Sequence, residues 1–239
     1  MQNHFIVISL IIFLASFVQG FSGFGFALIS IPLLTLFISI KVAVPLGALC
    51  GLVVNIYLSA GLKNHFSFRE LSRIILGSII GIPIGVGILK FGSPEILKNI
   101  LGLFVLAFVT LNLVKLLKPM NVNHNWGYLA GLLSGFFGGA FNTNGPPVLI
   151  YFFLKGWDKV KQKAMISGFF LVTSSMIVVS HFISGMTTSD ILFDFVKLLP
   201  IVLLGIWIGN VLFSRVSTEL FNKLVLWGLL VIGGSLILA

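Results

Sequence analysis

Residues 138–152 read GGAFNTNGPPVLIYF and interrupt a part of the chain that is otherwise apolar. Three polar residues stand together at 142–144, and a glycine and two prolines follow them directly. Glycine and proline are poor helix formers, and polar side chains inside a membrane are costly unless they have a partner. The stretch therefore predicts a break in a membrane helix, where polar groups gather around a ligand.

The composition indicates the class of protein. Of the 239 residues, 58% are hydrophobic and only 9% are charged, and the mean hydropathy is +1.14. These values exclude a soluble globular domain and predict a multi-spanning membrane protein, because each helical span needs about 20 apolar residues. Eight apolar blocks follow one another with short polar segments between them. They lie at approximately 4–38, 42–61, 74–90, 96–114, 127–154, 164–186, 192–213 and 220–238.

We expect one transmembrane domain over residues 1–239, because the blocks leave no room for a separate soluble domain. The first block lacks the preceding Lys or Arg of a signal peptide, so it is predicted to be a retained helix. The net charge of +9 lies mainly in the segments between blocks, where it sets orientation. Nucleic acid is therefore not an expected partner, whereas the lipid bilayer is.

The first and fifth blocks are each too long for one span, and they resemble each other. Sliding the chain by 115 residues lays 17–37 over 132–152 with seven identities in 21 positions. A second match, at an offset of 124, joins 81–99 with 205–223. Such self-similarity predicts an internal duplication. The predicted halves are residues 1–118 and 119–239.

The 15 Lys and Arg residues favour one of two topologies. If every block crosses once, they divide 9 against 6 between the two sides; if the first and fifth blocks fold back as hairpins, they divide 11 against 4. The positive-inside rule favours the second arrangement. The predicted fold is an all-α integral membrane protein with an inverted repeat, in which a broken helical hairpin opens each half. The four residues on the minority side are Lys41, Lys90, Lys98 and Lys197.

The predicted binding site lies at the two hairpin tips, within the segments 20–26 (GFSGFGF) and 138–147 (GGAFNTNGPP). Broken helices of inverted-repeat transporters direct half-helix N-termini and freed N–H groups at the substrate. Neutral donors and helix N-termini attract an anion without a buried lysine. The predicted substrate-binding residues are Ser22, Gly23, Phe24, Gly25, Gly138, Asn142, Thr143, Asn144, Gly145 and Pro146.

The paired motifs GFSGFGFALISIPLL, from Gly20, and GGAFNTNGPPVLIYF, from Gly138, resemble the sulfite exporter TauE/SafE family of membrane permeases. The resemblance covers essentially the whole chain, and the second motif is the more specific. It implies transport of small sulfur-containing anions, such as sulfite or organosulfonates, most often outward across a prokaryotic plasma membrane. Asn142 and Asn144 are therefore stronger candidates than Ser22.

Other functions are open to the same residues. A passive anion channel of this architecture would carry the same motifs, and the glycines alone equally suit close helix packing. The sequence at 20–23 matches the G-x-S-G of intramembrane serine proteases, with His181 inside a later apolar block. An enzyme is disfavoured, because the repeat partner of Ser22 is Phe137 and no feature pairs Ser22 with His181. His181 is expected to be a packing residue.

Cofactors and coupling groups are not indicated. Cys50 is the single cysteine, so the sequence offers neither an intrachain disulfide nor a cysteine metal site. The six carboxylates lie in loops or near block ends, which is unusual for a proton-coupled carrier. We expect no cofactor, and a small anionic substrate as the partner. The sequence is compatible with a homo-oligomer.

Overall fold

The computed structural model describes residues 4–60, 68–113, 120, 122–157, 159–212 and 218–238. These residues form ten α-helices and no strand. The helices are α1 (Phe5–Ser22), α2 (Phe26–Leu34), α3 (Ile40–Ser59), α4 (Phe68–Phe91), α5 (Pro94–Leu113), α6 (Trp126–Phe141), α7 (Gly145–Leu154), α8 (Lys159–Ile183), α9 (Ser189–Leu212) and α10 (Thr218–Leu238). Six of them, α1, α3, α4, α5, α8 and α9, are long and apolar enough to cross a membrane. The prediction of an all-helical membrane fold is confirmed.

Each of the two long blocks contains a helix break, as predicted. The first break spans residues 23–25, where Gly23 and Gly25 have φ angles of 82° and 107°. The second spans residues 142–144, where Asn142 has a φ of 56° and is the only non-glycine with positive φ in the described chain. Both breaks are shorter than the motifs that predicted them. In particular, Gly138 remains inside α6 and does not lie at the tip.

Both broken pairs fold back on themselves. The rings of His4 and Phe37 lie 5.8 Å apart, so the start of α1 and the segment after α2 meet at one end of the molecule. The Met120 N–H donates to the Leu154 carbonyl at 3.0 Å, so the segment before α6 meets the end of α7. α1 and α2 therefore form one hairpin, and α6 and α7 form a second.

Glycines bring two pairs of helices into backbone contact. A Cβ atom at Gly81 of α4 would lie 2.2 Å from the carbonyl oxygen of Leu132 on α6. α1 and α9 meet in the same way, since a Cβ at Gly209 would lie 2.2 Å from the Phe17 carbonyl oxygen. Small residues at membrane helix interfaces allow this approach, and Cα–H···O contacts contribute to it. The first helix of each hairpin is thus fixed to a long helix of the other half.

The contacts of one helix pair recur in the other at fixed offsets. Gly85 approaches the Phe136 carbonyl, and Gly209 approaches the Phe17 carbonyl in the same way. The two glycines are 124 residues apart in the chain, and the two phenylalanines are 119 residues apart. Two further contacts recur at the same offsets: Gly81 with Leu132 as Gly205 with Phe13, and Gly139 with Ile82 as Gly20 with Ile206.

The offset of 119 differs by about one helical turn from the 115 of the sequence match. Glycines that face α4 recur along α6 every four residues, at 127, 131, 135 and 139. Gly20 therefore meets a glycine at either offset, Gly135 at 115 and Gly139 at 119, and the helix contacts recur at 119.

The remaining helices complete the bundle. α3 packs against α8, and α5 packs against α10. The larger apolar core surrounds the first hairpin and α3, and a smaller one surrounds the second hairpin with parts of α4 and α8.

We predict that Gly81→Ala destabilises the protein and that Gly87→Ala, on the same helix, does not. A methyl group at Gly81 must push α4 away from α6, whereas one at Gly87 has nothing within 4 Å. Overpacking of this kind costs about 1–3 kcal/mol. The thermal midpoint of the detergent-solubilised protein should fall for Gly81→Ala and remain level or rise for Gly87→Ala. Equal midpoints would contradict the backbone contact.

Candidate functional site

The two breaks meet in one small cavity of about 30 Å³. Such a volume holds roughly two water-sized groups. None of the side chains that line it is charged. The lining residues are Gln19, Phe24, Gly25, Phe26, Ala27, Leu28, Gly51, Asn55, Asn142, Thr143, Asn144, Gly145, Phe170 and Ser174.

The cavity lining repeats at the offset that relates the helix contacts. Ten of the fourteen lining residues form five pairs that are 119 positions apart, each with one member from either half. Gly51 and Asn55 on α3 correspond in this way to Phe170 and Ser174 on α8. The other three pairs join residues 24–26 to residues 143–145. The cavity is therefore built from equivalent positions of the two halves.

Asn144 fixes the second tip to its surroundings. Its side-chain Nδ2 donates to Thr173 Oγ1 on α8 at 2.7 Å. Its carbonyl oxygen accepts a hydrogen bond from Ser134 Oγ on α6. Asn144 is only 9% exposed, and an unpaired amide at this depth would be costly. One of its two amide hydrogens is therefore used by the protein itself.

Asn142 has a freer side chain. Its backbone N–H donates to the Gly138 carbonyl at 2.7 Å, which ends α6 in the left-handed conformation. Its side-chain amide has no hydrogen-bond partner among the described residues. The Nδ2 atom lies beside Gly51, where an added Cβ would be 3.3 Å away, and Asn142 itself is 7% exposed. This amide is the strongest donor candidate at the second tip.

Gln19 organises the first tip, although the sequence analysis did not single it out. Its Oε1 accepts from the Phe26 N–H at 3.0 Å, and its Nε2 donates to Asn55 Oδ1 at 2.7 Å. The bond occupies the oxygen of Asn55 and leaves the Asn55 amide nitrogen for another partner. The sequence did carry a signal for Gln19 and Asn55, because each is a lone amide side chain within an apolar span.

Backbone donors come mainly from the first tip. The first-turn N–H groups of a helix have no acceptor within that helix, and they form its positive end. In α2, Ala27 and Leu28 line the cavity and supply such groups. In α7 the equivalent positions are Pro146 and Pro147, which carry no N–H. The second tip therefore contributes mainly side-chain donors and Gly145.

Six of the ten predicted site residues line the cavity, and four do not. Those that line it are Phe24, Gly25, Asn142, Thr143, Asn144 and Gly145. Thr143 is turned back toward α6, with its N–H donating to the Phe137 carbonyl at 3.2 Å. The cavity is completed from positions that the motifs do not include, namely Gln19, Gly51, Asn55, Phe170 and Ser174.

The other four predicted residues have different surroundings. The Ser22 hydroxyl lies 2.8 Å from the Val18 carbonyl oxygen and borders a separate pocket beside α10. Gly23 forms the left-handed end of α1. Gly138, within α6, packs against Ile177 of α8. Pro146 borders an apolar groove between α5 and the second hairpin.

His181 is buried at the end of α8, away from the cavity. Its Nε2 lies 3.0 Å from the Gly139 carbonyl oxygen. The Ser22 hydroxyl is bonded to backbone in the first hairpin. Serine and histidine thus have different partners, and these contacts give no support to a serine protease site.

The model of the sulfite exporter TauE/SafE family matches residues 8–236. The chain belongs to this family. A search of the curated proteins found no match, and a search of the solved structures also found none. Family membership and the six apolar helices identify a multi-pass membrane permease. In this TauE/SafE protein, both breaks and all of the cavity lining fall within the matched residues.

We predict that Gln19→Leu lowers the thermal midpoint of the purified permease far more than Gln162→Leu, a half-buried control near the start of α8. Loss of the Gln19 amide leaves the Phe26 N–H and Asn55 Oδ1 unpaired. Each buried unpaired group costs about 1–3 kcal/mol. Similar midpoints for the two variants would show that Gln19 does not hold the first tip.

Proposed function

We propose that this permease is a secondary transporter for a small oxyanion, such as sulfite or a small organosulfonate. The observation that carries the proposal is the uncharged cavity in which both helix breaks meet. The anion would lie between the two tips, at the positive end of α2. Export across a prokaryotic plasma membrane is part of the same proposal.

The donors around the cavity suit an oxyanion. Asn142 and Asn55 line it from opposite halves, each with an amide nitrogen that has no hydrogen-bond partner among the described residues, and Ala27 and Leu28 line it from the first turn of α2. Helix N-termini bind anions through such N–H groups and through the helix dipole. The lining has no carboxylate to attract a cation, and its small volume favours a compact substrate.

We also propose that residues 1–118 and 119–239 form an inverted repeat. Three of the four Lys residues on the predicted minority side have contacts that place them together. Lys41 contacts Lys90, and Lys197 lies near the start of the first hairpin. Lys41 Nζ donates to the Lys90 carbonyl at 2.9 Å, and Lys197 Nζ lies 5.9 Å from the ring of Phe5.

At the opposite end, Lys155 Nζ donates to the Val122 carbonyl at 2.9 Å, beside the ends of the second hairpin. These contacts support hairpins that enter from opposite faces, with the more basic face in the cytoplasm.

Asn142→Gly tests the binding site, because glycine keeps the left-handed turn and removes only the amide. Losing a hydrogen bond to a charged group costs about 1.5–3 kcal/mol, so the affinity for sulfite should fall roughly 10- to 150-fold. Asn142→Asp, which is isosteric but negatively charged, should abolish binding.

The measurements are sulfite affinity, saturable sulfite flux into liposomes, and thermal midpoint on the same preparations. Asn125→Ala, at an exposed position before α6, serves as the control. Wild-type affinity in both Asn142 variants would remove this residue from the site. Ohmic single-channel current in place of saturable flux would favour a channel.

Cysteine labelling tests the topology on a Cys50→Ser background. Asn123 and Gln162 flank the second hairpin, so the hairpin arrangement places both in the cytoplasm and the exposed Thr188 outside. Asn123→Cys and Gln162→Cys should therefore be protected from an impermeant thiol reagent in intact cells, whereas Thr188→Cys should react. A single crossing of residues 127–154 would instead give opposite labelling at 123 and 162.

A further inference from the structure

An apolar groove of about 500 Å³ lies between α5 and the second hairpin. Its lining is almost entirely apolar, and its inner end reaches the prolines at the start of α7. The lining residues are Phe104, Ala107, Phe108, Leu111, Met120, Val122, Trp126, Leu129, Ala130, Leu133, Phe137, Pro146, Pro147, Ile150, Tyr151 and Leu154.

The groove has the length of one lipid leaflet. Along α6 it extends from Trp126 to Phe137, which corresponds to about 17 Å at the helical rise per residue. The hydrocarbon core of a bilayer is about 30 Å thick, so each leaflet contributes roughly half of that. A single acyl chain that enters at the Trp126 end would therefore finish near Phe137 and Pro146.

The equivalent place beside the first hairpin is filled by protein. There α10 packs against α2, and the pocket between α10 and the first tip has only about 80 Å³. Beside the second hairpin, the groove separates α5 from α7. An apolar gap of this size in a membrane protein needs an apolar occupant.

Basic groups lie at the open end of the groove. Lys155 Nζ is bound to the carbonyl of Val122, a lining residue. Arg73 packs beside Gly127, next to Trp126. The sequence contains no Asp or Glu between Glu95 and Asp158, so no carboxylate on α5, α6 or α7 beyond Glu95 neutralises these charges. Tryptophan and basic residues at one end are typical of a membrane interface.

We propose that this groove binds one acyl chain of an anionic phospholipid, whose headgroup lies at the Lys155 end. Basic pockets between transmembrane helices bind anionic headgroups in this way. The acyl chain would end against Pro146, adjacent to Gly145, which lines the substrate cavity. The lipid therefore packs against the second tip on the side away from the substrate cavity. The proposal does not depend on which substrate the cavity binds.

The test measures phosphatidylglycerol binding to the purified full chain, by native mass spectrometry and by the rise in thermal midpoint on adding the lipid. Phosphatidylcholine is the comparison lipid. Ala107→Trp fills the groove, and Leu103→Trp, at an exposed position of α5 outside the groove, is its control. Lys155→Gln removes the charge at the open end, and Lys98→Gln is the matched loss of charge elsewhere.

Wild type, Leu103→Trp and Lys98→Gln should retain bound phosphatidylglycerol and gain several degrees in midpoint, because a ligand that binds only the folded state stabilises it. Ala107→Trp and Lys155→Gln should lose most of both effects, and phosphatidylcholine should give little in any variant.

Equal lipid binding in all five proteins would overturn the proposal. It would also be overturned if Ala107→Trp converted a dimer into a monomer without changing bound lipid, since the groove would then hold a second copy of the chain.

Discussion

Two interrupted helices inside a membrane leave backbone N–H and C=O groups that lipid cannot satisfy, and the rest of this structure follows from that constraint. At the first break, Gln19 accepts the hydrogen bond of the first N–H of α2. At the second, Ser134 donates to the carbonyl of Asn144. Ala27 and Leu28, the next residues of α2, line the cavity. Under the proposed function, the N–H groups left over from breaking this helix are the ones that would bind the anion.

The glycine contacts determine how the two tips are held together. Because α1 is fixed to α9, and α6 to α4, each hairpin is anchored on a long helix of the other half. Ser78 strengthens one of these contacts, with its Oγ 3.0 Å from the Gly131 carbonyl oxygen. In the proposed transporter, a movement of α9 would carry the first tip with it, and a movement of α4 would carry the second. The cavity between the tips would then open toward one face or the other.

Much of this arrangement could be predicted from the sequence, and the omissions have physical causes. Clusters of glycine, proline and polar residues in apolar blocks indicated both breaks, and the Lys and Arg distribution predicted the hairpins. Gln19 and Asn55 were missed because each is a single polar residue in an apolar span, and Ser174 was missed because it lies in a run of hydroxyl residues, 173–175, with no glycine or proline beside it. Nothing local reveals which way such a side chain faces. The offset of 115 has the more sequence identities, whereas the helix contacts and the cavity lining recur at 119, because packing equivalence depends on which backbone atoms meet and not on residue identity.

The two tips differ in the side chains that they place at and beside the cavity. At equivalent positions of the two tips, Gly23 and Asn142 both have positive φ. Asparagine is among the few residues with a side chain that tolerate this conformation, so the second tip gains an amide without losing the turn. The packed helices differ in the same direction, since Gly51 lies beside the Asn142 amide and its equivalent at the 119-residue offset is Phe170. A glycine at 51 gives the amide room to reach the cavity, and an alanine there would place a methyl group 3.3 Å from its nitrogen. At both pairs of positions, glycine before residue 118 thus corresponds to a larger side chain after it, an amide at 142 and an aromatic ring at 170.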